Sequence, residues 1–158
     1  MKVIKNYLAR VENYPFWRFV LELSFWAVVT ATFLDLLFPT KNTPGFQYLE
    51  ELYRTRLGFF LISALLLGPI IETLFQILSI KVLSFFTKKD WIQIVISALV
   101  FASLHGFSNY FIVIFPVGII FAYSFVIQAR KSFWTGFFAT FLIHSIYNLA
   151  TTVAYELF

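Results

Sequence analysis

From Phe111 to Ala129 the chain carries no charged residue. A run of that length can cross the hydrocarbon of a bilayer, which takes about 20 apolar residues, and in lipid a helix meets the demand that backbone polar groups be satisfied internally. Similar runs extend from Phe16 to Phe38, where Pro39 ends the segment, from Leu57 to Phe86, and from Phe133 to Leu157. A shorter one, Trp91 to Leu104, stops at Gly106. Gly68 and Pro69 interrupt the second run, and because proline lacks the N–H needed inside a helix, a kink or restart is expected there. The expected fold is therefore all-α, a polytopic transmembrane helical bundle of about five spans.

Composition agrees. The chain is 60% hydrophobic and 13% charged with mean hydropathy +0.82, which excludes a water-soluble domain. It has no cysteine, so a disulfide framework, a thiolate zinc site and a cysteine nucleophile are all excluded. The net charge of +4 lies mostly in short loops between apolar runs, where Lys and Arg orient helices, so no nucleic-acid partner is expected. Of the 12 Lys and Arg, all but Lys41, Arg54 and Arg56 fall on one side when the spans alternate, among them Lys2, Lys5, Lys88, Lys89, Arg130 and Lys131. The expected topology is N-in and C-out.

The N-terminus is basic and amphipathic but has no short apolar core with a small-residue cleavage site, so the first span is read as uncleaved. Arg18 and Glu22, four apart, are placed to pair near the interface, and Asp35 lies within a turn of the other end. The stretch from Thr40 to Arg56, with Pro44, Gly45 and the run EELYRTR, is the one long polar connection. It divides residues 1–56, an amphipathic segment with the first helix and linker, from a core at 57–158.

Three ionisable side chains stand alone inside apolar segments: Glu72, His105 and His144. A charged group at a helix centre costs about 2.5 to 3.5 kcal/mol on insertion scales, so such residues usually face a bundle interior and serve a function. Asn148 lies four residues after His144 and shares its helix face, either as an interhelical hydrogen-bond clasp or as part of the lining of a wet cavity. His105 directly precedes Gly106, with Phe101 one turn earlier on its face; taken alone it reads as a capping or interfacial group. Glu72 meets no cation in its span before Lys81, and Gln76, one turn on, can offer it an amide hydrogen bond. One buried cluster would give all three groups partners.

The order Glu72 to Gln76, Phe101-x-x-x-His105 and His144-x-x-x-Asn148, each on a separate span, resembles the CPBP family of intramembrane proteins, the CAAX proteases and bacteriocin-processing enzymes. The likeness runs from about Leu57 to the C-terminus, making 57–158 a CPBP-like intramembrane protease core. It implies a glutamic intramembrane endopeptidase that removes a C-terminal tripeptide from prenylated proteins or processes bacterial peptides. Glu72 and His105 would then activate a water and His144 and Asn148 would stabilise the oxyanion, with Gln76 and Phe101 in support. The implied partners are a peptide or protein substrate, lipidated by resemblance alone, and membrane lipids. A small, cysteine-free, uncleaved polytopic chain suits a bacterial cytoplasmic membrane, which is the expected location. The chemistry is sound, since a buried carboxyl beside an imidazole can act as a base near neutral pH and oxyanion donors are worth about 3 to 4 kcal/mol each.

The first motif departs from the family's E-E-x-x-x-R. Aligned on Phe75, Ile71 takes the place of the first glutamate, Glu72 of the second and Gln76 of the arginine. Shifted by one, Glu72 takes the first place and Thr73 the second. Loss of a carboxylate together with a guanidinium leaves no orphan charge and predicts a neutral contact between Glu72 and Gln76. No cofactor is expected. Zinc on His105, His144 and Glu72 is the metal alternative, although the H-E-x-x-H spacing is absent. Ser145 is set aside as a nucleophile because it points to a different helix face and no G-x-S-x-G elbow is present. A catalytically silent relative, acting in bacteriocin immunity or partner binding, is the alternative function.

Overall fold

The computed structural model describes residues 2–41 and 44–157; the side chains of 2–5, 44–46, 48, 49 and 155–157 lie outside that description, and Lys2 and Lys5 of the charge comparison with them. The described chain is all-helical: α1 (Lys2–Glu12), α2 (Phe16–Leu37), α3 (Pro44–Thr55), α4 (Leu57–Ile62), a π turn (Ser63–Leu67), α5 (Gly68–Phe86), α6 (Asp90–Ser103), α7 (Asn109–Ala129) and α8 (Phe133–Leu157). Four helical stretches are long and apolar enough to cross a bilayer: Phe16–Leu37, Leu57–Phe86, Asn109–Ala129 and Phe133–Ala154. The protein is thus an integral membrane protein, with four helical stretches of spanning length and one short apolar helix among the described residues. At about 1.5 Å per residue, the 14 residues of α6 rise about 21 Å, less than the roughly 30 Å of hydrocarbon. Counted from Asp90, α6 ends before that thickness is crossed, and His105 follows its end.

Helix α7 is central. Val113, Ile114, Val117 and Phe121 on it join one buried cluster with Phe19, Val20, Leu23, Ala27 and Ala31 of α2, Phe101 and Ala102 of α6, and Ala139, Ile143 and Tyr147 of α8. The i, i+4 recurrence on α2 is a helix face, and Ala27 and Ala31 let it approach its neighbours closely. A smaller cluster joins Ile77 and Ile80 of α5 to Ala122 and Phe125 of α7. Helix α4, the π turn and α5 turn Leu61, Leu67, Ile71, Leu74, Leu78 and Phe85 outward, a face suited to lipid. Lipid tails are as apolar as these side chains, so the bundle is held by close packing and interhelical hydrogen bonds. One such bond joins Ser124 Oγ and Thr140 Oγ1 at 2.6 Å.

The ends of the bundle are tied separately. At one end Arg130 reaches Asp90 at 2.8 Å and Glu12 at 3.4 Å, joining α7, α6 and α1. At the other, Asn109 Nδ2 donates to Pro39 O at 3.1 Å. Asp35 Oδ1 accepts from the backbone N–H and hydroxyl of Thr40, holding the chain where it leaves α2. The expected Arg18–Glu22 pair is not formed. The Arg18 guanidinium lies 4.0 Å above the Tyr14 ring, and Glu22 accepts from Tyr7 Oη at 2.7 Å and Trp26 Nε1 at 3.3 Å. These aromatic groups, Tyr7 of α1, Tyr14 between the helices and Trp26 of α2, outcompete an ion pair of marginal worth.

Candidate active site

The break expected at Gly68 and Pro69 takes the form of a π turn, not a restart. The chain stays helical from Leu57 to Phe86 but winds wider over Ser63–Leu67, and the Gly68 N–H donates to Ser63 O, five residues back. In α geometry the carbonyl of Leu65 would accept from residue 69, and in π geometry that of Ala64 would; residue 69 is proline in either case. Both carbonyls are met from α8. Asn148 Nδ2 donates to Ala64 O at 2.8 Å, and Ser145 Oγ donates to Leu65 O at 2.9 Å while also lying 2.9 Å from Phe141 O.

One turn beyond Gly68, Glu72 extends toward two imidazoles. Its Oε2 lies 3.4 Å from His105 Nε2 and 3.5 Å from His144 Nε2. Three groups far apart in sequence thus converge on one carboxylate oxygen. His105 comes into position because Gly106, at φ +86°, takes the left-handed conformation that ends α6. Its Nδ1 lies 3.0 Å from Phe101 O, and a carbonyl only accepts, so Nδ1 carries a proton. In the neutral ring the Nε2 facing Glu72 is then the lone-pair nitrogen, free to accept a proton.

His144 is held by aromatic rings. Phe121 stacks on it with centroids 4.5 Å apart, and Phe101 meets it edge-on at 5.9 Å while lying 4.9 Å from His105. The side chain of His144 is 5% exposed, whereas Glu72 is 30% and His105 20% exposed, so the cluster opens on the Glu72–His105 side. Among the described residues no group of three His, Cys, Asp or Glu is arranged to hold a metal ion.

One supporting expectation is corrected. Gln76 makes no hydrogen bond to Glu72; its Nε2 donates to Gly118 O on α7 at 2.8 Å. Gln76 faces the buried side of α5, and Gly118, packed on Ala98, offers a backbone carbonyl with no side chain in the way. Asn148 takes the interhelical clasp of the two readings offered for it: its Nδ2 donates one hydrogen to Ala64 O at 2.8 Å. Phe121, Ser145 and Gly68 were not identified from sequence as parts of the site. An uncharged run gives no sign of which Phe meets a histidine, but Pro69 did announce a carbonyl in need of a donor.

A polytopic helical protein that holds a carboxylate between two imidazoles has the composition of a membrane-embedded hydrolase. The chain belongs to the family described as type II CAAX prenyl endopeptidase Rce1-like, which it matches over residues 53–150. The matched segment contains Glu72, His105, His144 and Asn148. Membership places it among the CAAX-type intramembrane proteases, which act on a peptide or protein at the membrane. No curated protein and no solved structure gives a match.

Proposed function

We propose that the protein is a glutamic endopeptidase that hydrolyses a peptide bond near the C-terminus of a prenylated substrate. The observation that carries this reading is the approach of both Nε2 atoms to Glu72 Oε2. It favours the register in which Glu72 takes the first glutamate's place. In the other register that place falls to Ile71, which is 52% exposed and faces outward; in the favoured register the second place falls to Thr73, which is buried.

A water between Glu72 and His105 gives a proton to this pair and adds its oxygen to the carbonyl carbon. His144 Nε2, in the tautomer that carries hydrogen there, donates to the developing oxyanion, and the remaining hydrogen on Asn148 Nδ2 is the second candidate donor. The pair returns the proton to the leaving nitrogen as the C–N bond breaks, yielding a free amine and a new carboxylic acid, which then loses its proton to solvent. The reading requires no metal. Residues 57–158 form the hydrolytic core, residues 1–56 anchor and brace it, and the proposed setting is a bacterial cytoplasmic membrane with the N-terminus inside.

The commitment of Asn148 to Ala64 O favours the second reading, a silent scaffold held by the same bonds. The deciding experiment offers purified protein in nanodiscs a farnesylated peptide ending in a CAAX sequence, with wild type, Glu72→Gln and wild type plus a chelator in parallel. Cleavage that persists under chelation and vanishes in a folded Glu72→Gln supports the glutamic reading. Loss on chelation revives zinc, and a folded wild type that cleaves nothing favours the scaffold.

A further inference from the structure

We infer that Ser145 is a positioning residue for the proposed reaction: with Asn148 it clamps the π turn Ser63–Leu67 and so fixes where Glu72 stands between the two histidines. The inference rests on the hydrolytic reading only in its catalytic half. The clamp itself rests on geometry.

A π turn is an unfavourable way to wind a helix, and mid-helix it needs a local cause. Pro69 supplies one, since it denies a donor to Leu65 O in one winding and to Ala64 O in the other. A buried carbonyl without a donor is costly, more so where water is scarce. Ser145 Oγ and Asn148 Nδ2, three residues apart on α8, sit at 2.9 Å and 2.8 Å from these two carbonyls. The side chains thus replace the missing N–H with fixed geometry, and both come from the helix that carries His144.

The consequence for catalysis is one of phase. Adjacent residues of a helix differ by about 100° in direction, so a shift of one residue between π and α winding would swing Glu72 away from His105 and His144. Gly68, at the exit of the turn, reinforces this arrangement, because a Cβ there would lie 2.9 Å from Ser63 O and 3.6 Å from Glu72 Oε1. The Ser145 hydroxyl, which meets Leu65 O and Phe141 O, makes no bond to Glu72 or to either imidazole among the described contacts. It acts through the turn.

The test pairs Ser145→Ala with Ser145→Thr, which restores a hydroxyl, and uses two readouts in the same detergent. The first is hydrogen exchange followed by mass spectrometry. Ser145→Ala is expected to speed exchange at least tenfold in a peptide spanning residues 63–71 and to leave one spanning 113–127 unchanged, with Ser145→Thr returning toward wild type. The second is cleavage of the farnesylated CAAX peptide, where kcat should fall about tenfold with KM within twofold, again rescued by threonine. Unchanged exchange in Ser145→Ala overturns the clamp. Faster exchange with unchanged kcat overturns the positioning role. A wild type that cleaves nothing counts against the hydrolytic reading alone, and the exchange measurement then decides the clamp by itself.

Discussion

Gly68→Ala should destabilise the protein, although alanine is ordinarily the better helix residue. In a plain helix interior the exchange gains about 0.8 to 1.0 kcal/mol. Here the added Cβ would lie 2.9 Å from the backbone oxygen of Ser63, closer than carbon and oxygen normally approach. That oxygen belongs to the main chain of the π turn and cannot rotate aside, so either the turn shifts or the helix bends. Forcing a methyl into a filled site costs about 1 to 3 kcal/mol, which leaves a net loss of about 0 to 2 kcal/mol. Gly58→Ala is the matched control, because a Cβ at Gly58 meets nothing within 4 Å. Its expected effect is a gain of about 1 kcal/mol. Reversible unfolding in mixed micelles, followed by circular dichroism, should place the two variants about 1 to 3 kcal/mol apart. If Gly68→Ala proves as stable as Gly58→Ala, the tight passage at the π turn does not exist in solution and the account of how Glu72 is placed fails with it.

Three further outcomes are expected. Phe121→Ala removes the ring stacked on His144, itself 1% exposed, and should cost about 3 to 5 kcal/mol in the same unfolding assay. Gly118→Val adds atoms where a Cβ is already 3.0 Å from Phe101 Cδ1 and 3.4 Å from Ala98 Cα; it should cost about 1 to 3 kcal/mol and lower cleavage by displacing Phe101 from His105. The absence of native cysteine allows single-cysteine labelling, in which Lys89→Cys and Phe107→Cys should react with an impermeant maleimide from opposite faces of the membrane. Labelling of both from one face would refute the alternation of spans.

Much of this arrangement was legible in the sequence because the relevant signals are local or chemically isolated. Uninterrupted apolar runs declare spans, Gly106 declares the end of α6, and Glu72, His105 and His144 stand out because a membrane helix rarely tolerates them without cause. The rest depended on distances between helices that no single helix encodes. Glu72 and Gln76 do share a helix, but the approach of α7 at Gly118 gives the amide a different partner. Glu22 could be matched with Arg18 by spacing alone, yet Tyr7 reaches it once α1 folds back on α2, and Trp26, one turn along α2, bonds to it as well. The π turn was half legible: Pro69 marks where the hydrogen-bond ladder fails, while the donors that answer it lie on the last helix of the chain.

The π turn also changes how this helix can respond to altered length. Wider winding over Ser63–Leu67 accommodates about one residue more than α geometry would, so the faces presented by α4 and by α5 are set independently. Removing one residue inside the turn could be absorbed by tightening it to α geometry, so that the outward face of α4 and the bearing of Glu72 are both kept. The same deletion between Gly68 and Glu72 has no such slack and would turn the carboxylate about 100° from both histidines. A single helix therefore contains a segment where a change of length is tolerable directly beside one where it is not.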